Sequence, residues 1–210
     1  MPGESLVQVN SGTGPKLHTF QRAIGANNVE DEIVILGNQY LAEYIVGTGT
    51  SYVSWATADS HVLQLMAGAS LNVYVTRIRI YQHAVATTAA LTTWELFRLT
   101  SAGTGGTAFT PAPVDTTDPA SGATCMTLPT VKGATSTVLE QAESYVLQTI
   151  IASLGGDMQV PLMFDWDFRG PRQKAIRIPA GAANGIAVQN RQAIAGANGT
   201  CVISFYEAPF

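Results

Sequence analysis

The chain has 210 residues, which suits a single domain or a domain with an ordered arm. Charged residues make up 12% of it, about half of the roughly 25% that is usual, while apolar residues reach 46%. The net charge is −4, and the Lys and Arg residues are scattered. Binding to phosphates or to an anionic membrane needs a basic face, so we expect neither nucleic acid nor a membrane as a partner.

The first residues, Met1–Ser5, are polar and include an acid. No basic segment followed by an apolar segment comes after them, so we expect no secretory signal. No apolar run reaches 18 residues, so we expect no membrane-spanning helix.

Residues 1–30 have a different character from the rest. Large apolar residues are spaced irregularly among Gly, Ser, Asn and Pro, and they form neither a helical nor a strand pattern. This pattern predicts an extended N-terminal arm that lies on another surface, with a flexible terminus as the alternative. The candidate partner-binding residues of this arm are Val7, Val9, Leu17 and Phe20.

Residues 31–210 form the predicted domain, and its pattern is that of strands. Short segments alternate with period two or carry β-branched and aromatic runs, and Gly, Pro, Asn and Ser separate many of them. This spacing predicts an all-β antiparallel sandwich or barrel. The predicted strands are 33–36, 39–46, 62–66, 71–82, 93–99, 145–151, 160–166, 175–178, 185–188 and 200–206.

The strand candidate Leu71–Tyr81 changes phase along its length. Its apolar residues first fall on odd positions, and from Ile78 they fall on even positions. A strand with one buried face needs an extra residue for such a change, so we predict a β-bulge near Thr76 or burial of both faces before it. After the change, Arg77 and Arg79 point outward together, which makes them further candidate partner-binding residues.

Other local signals are weaker. The best helix candidate is Ser136–Ser144, and Asn198-Gly199 fits a type I′ hairpin turn. The two cysteines, Cys125 and Cys201, lie in apolar contexts, and we expect two buried thiols.

The search for catalytic chemistry finds little. His18, His61 and His83 lack the spacing of metal ligands, so we expect no metal site. The Gly-rich stretch 103–107 lacks the lysine of a phosphate-binding loop and is predicted to be an ordinary loop. We therefore expect no catalytic residue and no cofactor, and hence no enzyme.

One compact pair of carboxylates, Asp165 and Asp167, flanks Trp166. Alternation places both carboxylates on one strand face. We expect salt bridges to Arg169 and Arg172, with a calcium site or a glycosidase-like pair as the less favoured readings.

The order of elements from about residue 70 to residue 207 resembles structural proteins of tailed bacteriophages, in particular the small β-sandwich proteins that decorate or cement the capsid. The motifs that carry the resemblance are 74–80 (YVTRIRI), 94–100 (WELFRLT), 105–108 (GGTA), 113–115 (PVD), 118–120 (DPA), 178–181 (IPAG) and 185–188 (GIAV).

This resemblance implies a jelly-roll-like sandwich that sits on the outside of a capsid. It implies binding to the major capsid protein and to other copies of itself as a homotrimer, with an N-terminal arm that reaches over neighbouring subunits. The protein would be made in the host cytoplasm and end on the virion surface.

Two alternatives remain open. The first is a head-fibre, tail or receptor-binding module that binds glycans through Trp55 and Asp165–Asp167. The second is a polysaccharide hydrolase that uses Asp165 and Asp167.

Overall fold

The computed structural model describes residues 4–8, 16–24, 27–32, 41–48, 52–84, 90–146, 162–169 and 174–209. The chain divides into two compact units, Met1–Tyr40 and Leu41–Phe210. Every regular element in the described residues is a strand: β1 Glu4–Gln8, β2 Lys16–Ile24, β3 Asn27–Glu32, β4 Glu43–Gly47, β5 Val53–Ser54, β6 Ser60–Met66, β7 Asn72–Ala84, β8 Ala90–Leu99, β9 Thr107–Phe109, β10 Ala112–Pro113, β11 Thr124–Thr127, β12 Thr135–Val146, β13 Leu162–Asp167, β14 Ile176–Ile178, β15 Gly185–Asn190 and β16 Asn198–Ala208.

The first unit is an antiparallel meander in which β2 pairs with β1 on one side and with β3 on the other. In this register Val7 lies opposite Leu17, and Phe20 lies opposite Glu4. The backbone of the N-terminal segment is therefore extended, and its strands pair with each other. Whether this segment lies on a partner stays a prediction.

The second unit contains two antiparallel sheets. Sheet I has the order β10-β4-β16-β7-β13, with β14 also paired to β7 and β5 also paired to β16. Sheet II has the order β12-β8-β15-β6-β11-β9. The predicted all-β sandwich is confirmed.

The path of the chain between the sheets is that of a jelly roll. Strands β4, β6, β7 and β8 alternate between sheets I and II, and β12, β13–β14, β15 and β16 do so again in reverse order. Four main strands thus lie in each sheet, and these eight strands form the double Greek key that defines a jelly roll. Of the remaining strands of this unit, β5 lies between β4 and β6 in the chain. Strands β9, β10 and β11 belong to residues 100–134, which we call the β8–β12 connection.

The core lies between the sheets. Trp55 and Trp94 are fully buried and meet edge to face with their ring centroids 4.9 Å apart. On the inner face of β16, Cys201, Ile203 and Phe205 are buried, as their alternation predicts. Large apolar side chains from both sheets belong to one continuous cluster, which is the main core, and Met66, Leu99 and Ala187 form a second, small cluster.

The two cysteines are free, buried thiols, which confirms the prediction. Burial raises the pKa of the Cys125 thiol to about 12, and it raises the pKa of Cys201 as well. Because the thiolate is the reactive form, both side chains act as small apolar core residues.

The outer face of sheet II is covered by the β8–β12 connection. All residues of β15 are buried, and so are all residues of β6 except Ser60. The backbone N–H of Gly103 donates to Gln64 Oε1 over 3.0 Å, and the N–H of Leu128 donates to the His61 carbonyl over 3.0 Å. The central strands β6 and β15 are thus buried on both faces, whereas most described residues of the edge strands β9 and β12 are exposed.

Two local predictions are wrong. The helix candidate Ser136–Ser144 lies within β12, where its β-branched residues pair with β8. Asn198-Gly199 begins β16, and the turn before it places Gly196 at a positive φ of 81°. The glycine at position 199 has a different use, because the ring of Trp55 passes directly over it.

We predict that Gly199→Ala destabilises the fold by at least about 2 kcal/mol, the scale of overpacking in a rigid core. An added Cβ would lie 2.1 Å from the Tyr81 carbonyl oxygen and 2.3 Å from Trp55 Cζ2. The measurement is urea unfolding followed by tryptophan fluorescence.

The matched control is Gly122→Ala, whose Cβ would meet nothing closer than 3.8 Å. This control should change the free energy of unfolding by less than about 1 kcal/mol. Equal effects of the two substitutions would contradict the close approach of Trp55 to β16.

Candidate interaction face

The outer face of sheet I owes its composition to one bulge in β7. In the pairing of β7 with β16, Arg77 lies opposite Ser204 and Val75 lies opposite Phe205, so Thr76 is the extra residue. The Thr76 hydroxyl donates to the Ser204 carbonyl over 3.0 Å. This is the bulge that the sequence predicts, and it turns the outward phase of β7 onto the odd positions from Arg77 onward.

The two arginines that follow the bulge lie on this outer face, as predicted. Arg77 donates through Nε over 2.8 Å and through Nη2 to the two carboxylate oxygens of Asp165 on the neighbouring strand β13. The Arg77 guanidinium is the main cause that lowers the pKa of Asp165. Arg79 donates through Nη1 to the Tyr81 hydroxyl over 3.2 Å.

The carboxylate pair is held by arginines. Asp167 accepts from Arg169 Nε over 2.9 Å and from Nη2 over 2.6 Å, and these bonds lower its pKa well below the usual range. Trp166 is 9% exposed and faces the core, so Asp165 and Asp167 lie on the opposite face of the strand, as predicted. The expected pairing with Arg169 is confirmed, whereas Arg172 lies outside the described residues. Arginines balance the negative charge of both carboxylates, and neither carboxylate has the raised pKa of a general acid.

Aromatic side chains continue the outer face of sheet I on both sides of the ion pairs. Tyr74 and Tyr206 stack with their centroids 4.9 Å apart and an interplanar angle of 6°. Tyr52, which is 53% exposed, stacks on His83 at 4.2 Å. Tyr and Arg combine a large contact area with a polar tip, and they are the residues enriched at the centres of protein interfaces.

A groove of about 730 Å³ runs along the same face. Its floor contains Ile45 and Val202, and Gly47 between them contributes no side chain. Tyr81 and His83 form one wall. Ile45 is 37% exposed, so the groove presents apolar surface to solvent at the centre of a face that is otherwise aromatic and polar.

We name this whole surface the sheet I face. It consists of Ile45, Tyr52, Tyr74, Arg77, Arg79, Tyr81, His83, Asp165, Asp167, Val202, Ser204 and Tyr206. The sequence identified only its arginines and aspartates, because the groove forms from strands that are far apart in the chain.

Other predicted site residues lie elsewhere. The side chains of Val7, Leu17 and Phe20 belong to strands β1 and β2, of which only the backbone is described, and Val9 lies outside the described residues. Trp55 is 0% exposed within the core, so it cannot serve as a glycan platform. With Trp55 buried and both aspartates paired to arginines, the residues that suggested glycan binding or hydrolysis are already engaged in the fold.

The described ranges hold no group of three or more His, Cys, Asp or Glu side chains that could bind a metal ion. Among the same residues, no helix is long and apolar enough to cross a membrane. No family model, curated protein or solved structure matches this chain.

The ion pair between Arg77 and Asp165 gives a direct test of the sheet I face. The two side chains are 28% and 26% exposed, so solvent screens the pair. We predict a coupling free energy of about 0.5–1 kcal/mol in a double-mutant cycle of Arg77→Gln and Asp165→Asn. Urea unfolding of the four proteins measures it.

The same cycle with Arg79→Gln and Asp165→Asn is the control, since no hydrogen bond or ion pair joins these two side chains within the part of the chain that the structure describes. A coupling below about 0.3 kcal/mol is expected there. Because Arg79 already lies opposite Asp165 in the pairing of β7 with β13, a larger coupling for Arg79 than for Arg77 would contradict the hydrogen-bonded pair of Arg77 and Asp165.

Proposed function

We propose that this chain is a structural protein of a virion, which decorates a tailed-phage capsid and stabilises it by binding across neighbouring capsid subunits. The partner is the major capsid protein, and the chain binds as a homotrimer on the outer surface of the shell. The observation that carries the proposal is the open, aromatic and arginine-rich sheet I face on a jelly-roll body.

The architecture supports this proposal. Double-sheet jelly rolls are used by viral capsid domains as well as by lectins. In the present chain the central strands of sheet II are buried on both faces, and sheet I keeps one broad face exposed. A rigid sheet of this kind provides a preformed docking surface, which reduces the entropy that binding must overcome.

The chemistry of the sheet I face supports a protein partner. Both of its carboxylates are paired with arginines, Asp165 with Arg77 and Asp167 with the adjacent Arg169, so bringing the face against a partner leaves neither carboxylate as an isolated charge. The central groove adds the apolar area that a docking contact can bury. A trimer multiplies such contacts, so each one can be weak while the linked set is strong.

We predict that the purified chain cosediments with expanded empty capsids assembled from the major capsid protein of the same genome. Ile45→Asp should weaken this binding at least tenfold, because it places an unpaired charge in the apolar groove. Binding curves from sedimentation with increasing protein concentration measure the affinity.

The matched control is Val131→Asp, the same chemical change at a residue that is 64% exposed in the β11–β12 loop, away from sheet I. It should change the affinity less than twofold. Failure of the unsubstituted chain to bind these capsids would overturn the proposal. An equal loss of binding in both variants would overturn the assignment to the sheet I face.

The predicted trimer is tested on the free chain and on decorated capsids. Sedimentation equilibrium of the free chain should give a mass three times the 22.1 kDa of one chain at high concentration. Density at the local three-fold positions of decorated capsids should account for three copies. A chain that stays monomeric in both settings would contradict the trimer.

A further inference from the structure

His61 lies at the contact between sheet II and the β8–β12 connection. His61 is 1% exposed, and Gln64, three residues further along β6, is also 1% exposed. The Gln64 side chain contacts both neighbours. Its Nε2 lies 2.6 Å from His61 Nδ1, and its Oε1 accepts from the backbone N–H of Gly103 over 3.0 Å.

These contacts determine which nitrogen of the His61 imidazole carries the proton. Because Gln64 Oε1 accepts from Gly103, the NH₂ group of the same amide faces His61. An NH₂ group has only hydrogens to offer, so His61 Nδ1 must be the acceptor and the ring proton sits on Nε2. The three residues form a chain of hydrogen bonds with one consistent direction, from Gly103 to Gln64 to His61.

A second proton on His61 is incompatible with this chain. Protonated Nδ1 becomes a donor and meets the donor NH₂ of Gln64. If the Gln64 amide turns over to present its oxygen to His61, its NH₂ group then faces the N–H of Gly103. In either case one buried hydrogen bond is lost. The lost bond is the one between Gln64 and His61 or the one between Gln64 and the backbone of Gly103.

We propose that His61 and Gln64 form an acid-sensitive latch, which holds the loop between β8 and β9, residues 100–106, against β6 and releases it when a proton from solvent binds His61 Nδ1. The step is a simple protonation of neutral imidazole to imidazolium, and this loop opens because the charged ring is stable only in contact with water.

The charges around His61 come from four elements. Lys132 in the β11–β12 loop donates to the backbone carbonyl of Asp59, just before β6, over 2.9 Å. Arg191, after β15, pairs with the Asp59 carboxylate at 2.7 Å and with Glu95 of β8 at 3.3 Å. Burial is the main cause that lowers the pKa of His61 from 6.5 to about 4, and the charge of Lys132 adds to it, while the Gln189 side chain opposes it.

The direction of the pH effect follows from these values. Above pH 6.5 the histidine is neutral in both the closed and the open state, so closure does not depend on pH. Between about pH 6.5 and 4 only the open state binds the proton, and closure weakens as the pH falls. Over this whole interval the ratio of open to closed molecules rises on the order of 100-fold, and the rise approaches tenfold for each pH unit in the middle of it.

The test is hydrogen exchange of the full chain, followed by mass spectrometry and corrected for the intrinsic pH dependence of exchange. Between pH 7 and 4.5 the opening equilibrium of residues 100–106 should rise on the order of 50- to 100-fold. The core strands β7 and β16 should remain protected over the same interval. Simultaneous loss of protection in these strands would mean global unfolding and would overturn the latch.

Two substitutions isolate the histidine. His61→Gln should remove the pH-dependent step, whereas His83→Gln, which changes an exposed histidine beside sheet I, should retain it. If His61→Gln does not fold, Lys132→Met gives the same answer: it removes the nearby cation, raises the pKa of His61 and makes the step smaller. A step that persists unchanged in Lys132→Met, or an NMR titration that gives His61 a pKa of 6 or above, would overturn the proposal.

Discussion

The arrangement of sheet I depends on the single extra residue at Thr76. Before it, Val73 and Val75 face the core, and after it Ile78 and Ile80 do so. Without the bulge, one half of β7 would direct its apolar side chains to solvent, and its arginines would be buried without partners. The same shift places Arg77 opposite Asp167 on β13, within hydrogen-bond reach of Asp165. The core, the ion pairs and the exposed face therefore share one cause, which is local in the sequence.

The two sheets have different roles because they are covered differently. The central strands of sheet II, β6 and β15, are buried on both sides, and buried polar side chains hold the adjoining loops in place. Asn190, for example, donates to the carbonyls of Trp55, Thr57 and Gln192. Glu207 does the same for the end of sheet I, since its carboxylate accepts from Ser121 and Ala123. The exposed face of sheet I carries no such cover in the described residues, which is why its aromatic rings remain accessible.

The sequence predicts those parts of the fold that depend on one strand at a time. The alternation of Cys201, Ile203 and Phe205 and the phase change at Thr76 both reflect a single buried face. Alternation gives no information on burial in β15, which is buried on both faces, although its short apolar run still predicted a strand at 185–188. Short strands such as β10 exist only through their partners. The groove and the Gln64–His61 contact could not be predicted from the sequence for the same reason, because their residues meet only in the folded jelly roll.

The central position of β16 in sheet I has a consequence for biosynthesis. This strand lies between β4 and β7, two strands that the ribosome produces much earlier. Until β16 emerges, both have an unsatisfied edge and an uncovered apolar face, which are the features that promote aggregation of incomplete chains. Premature termination upstream of β16 would therefore yield a polypeptide that lacks the central strand of sheet I. Such a polypeptide would be a substrate for chaperones and proteases.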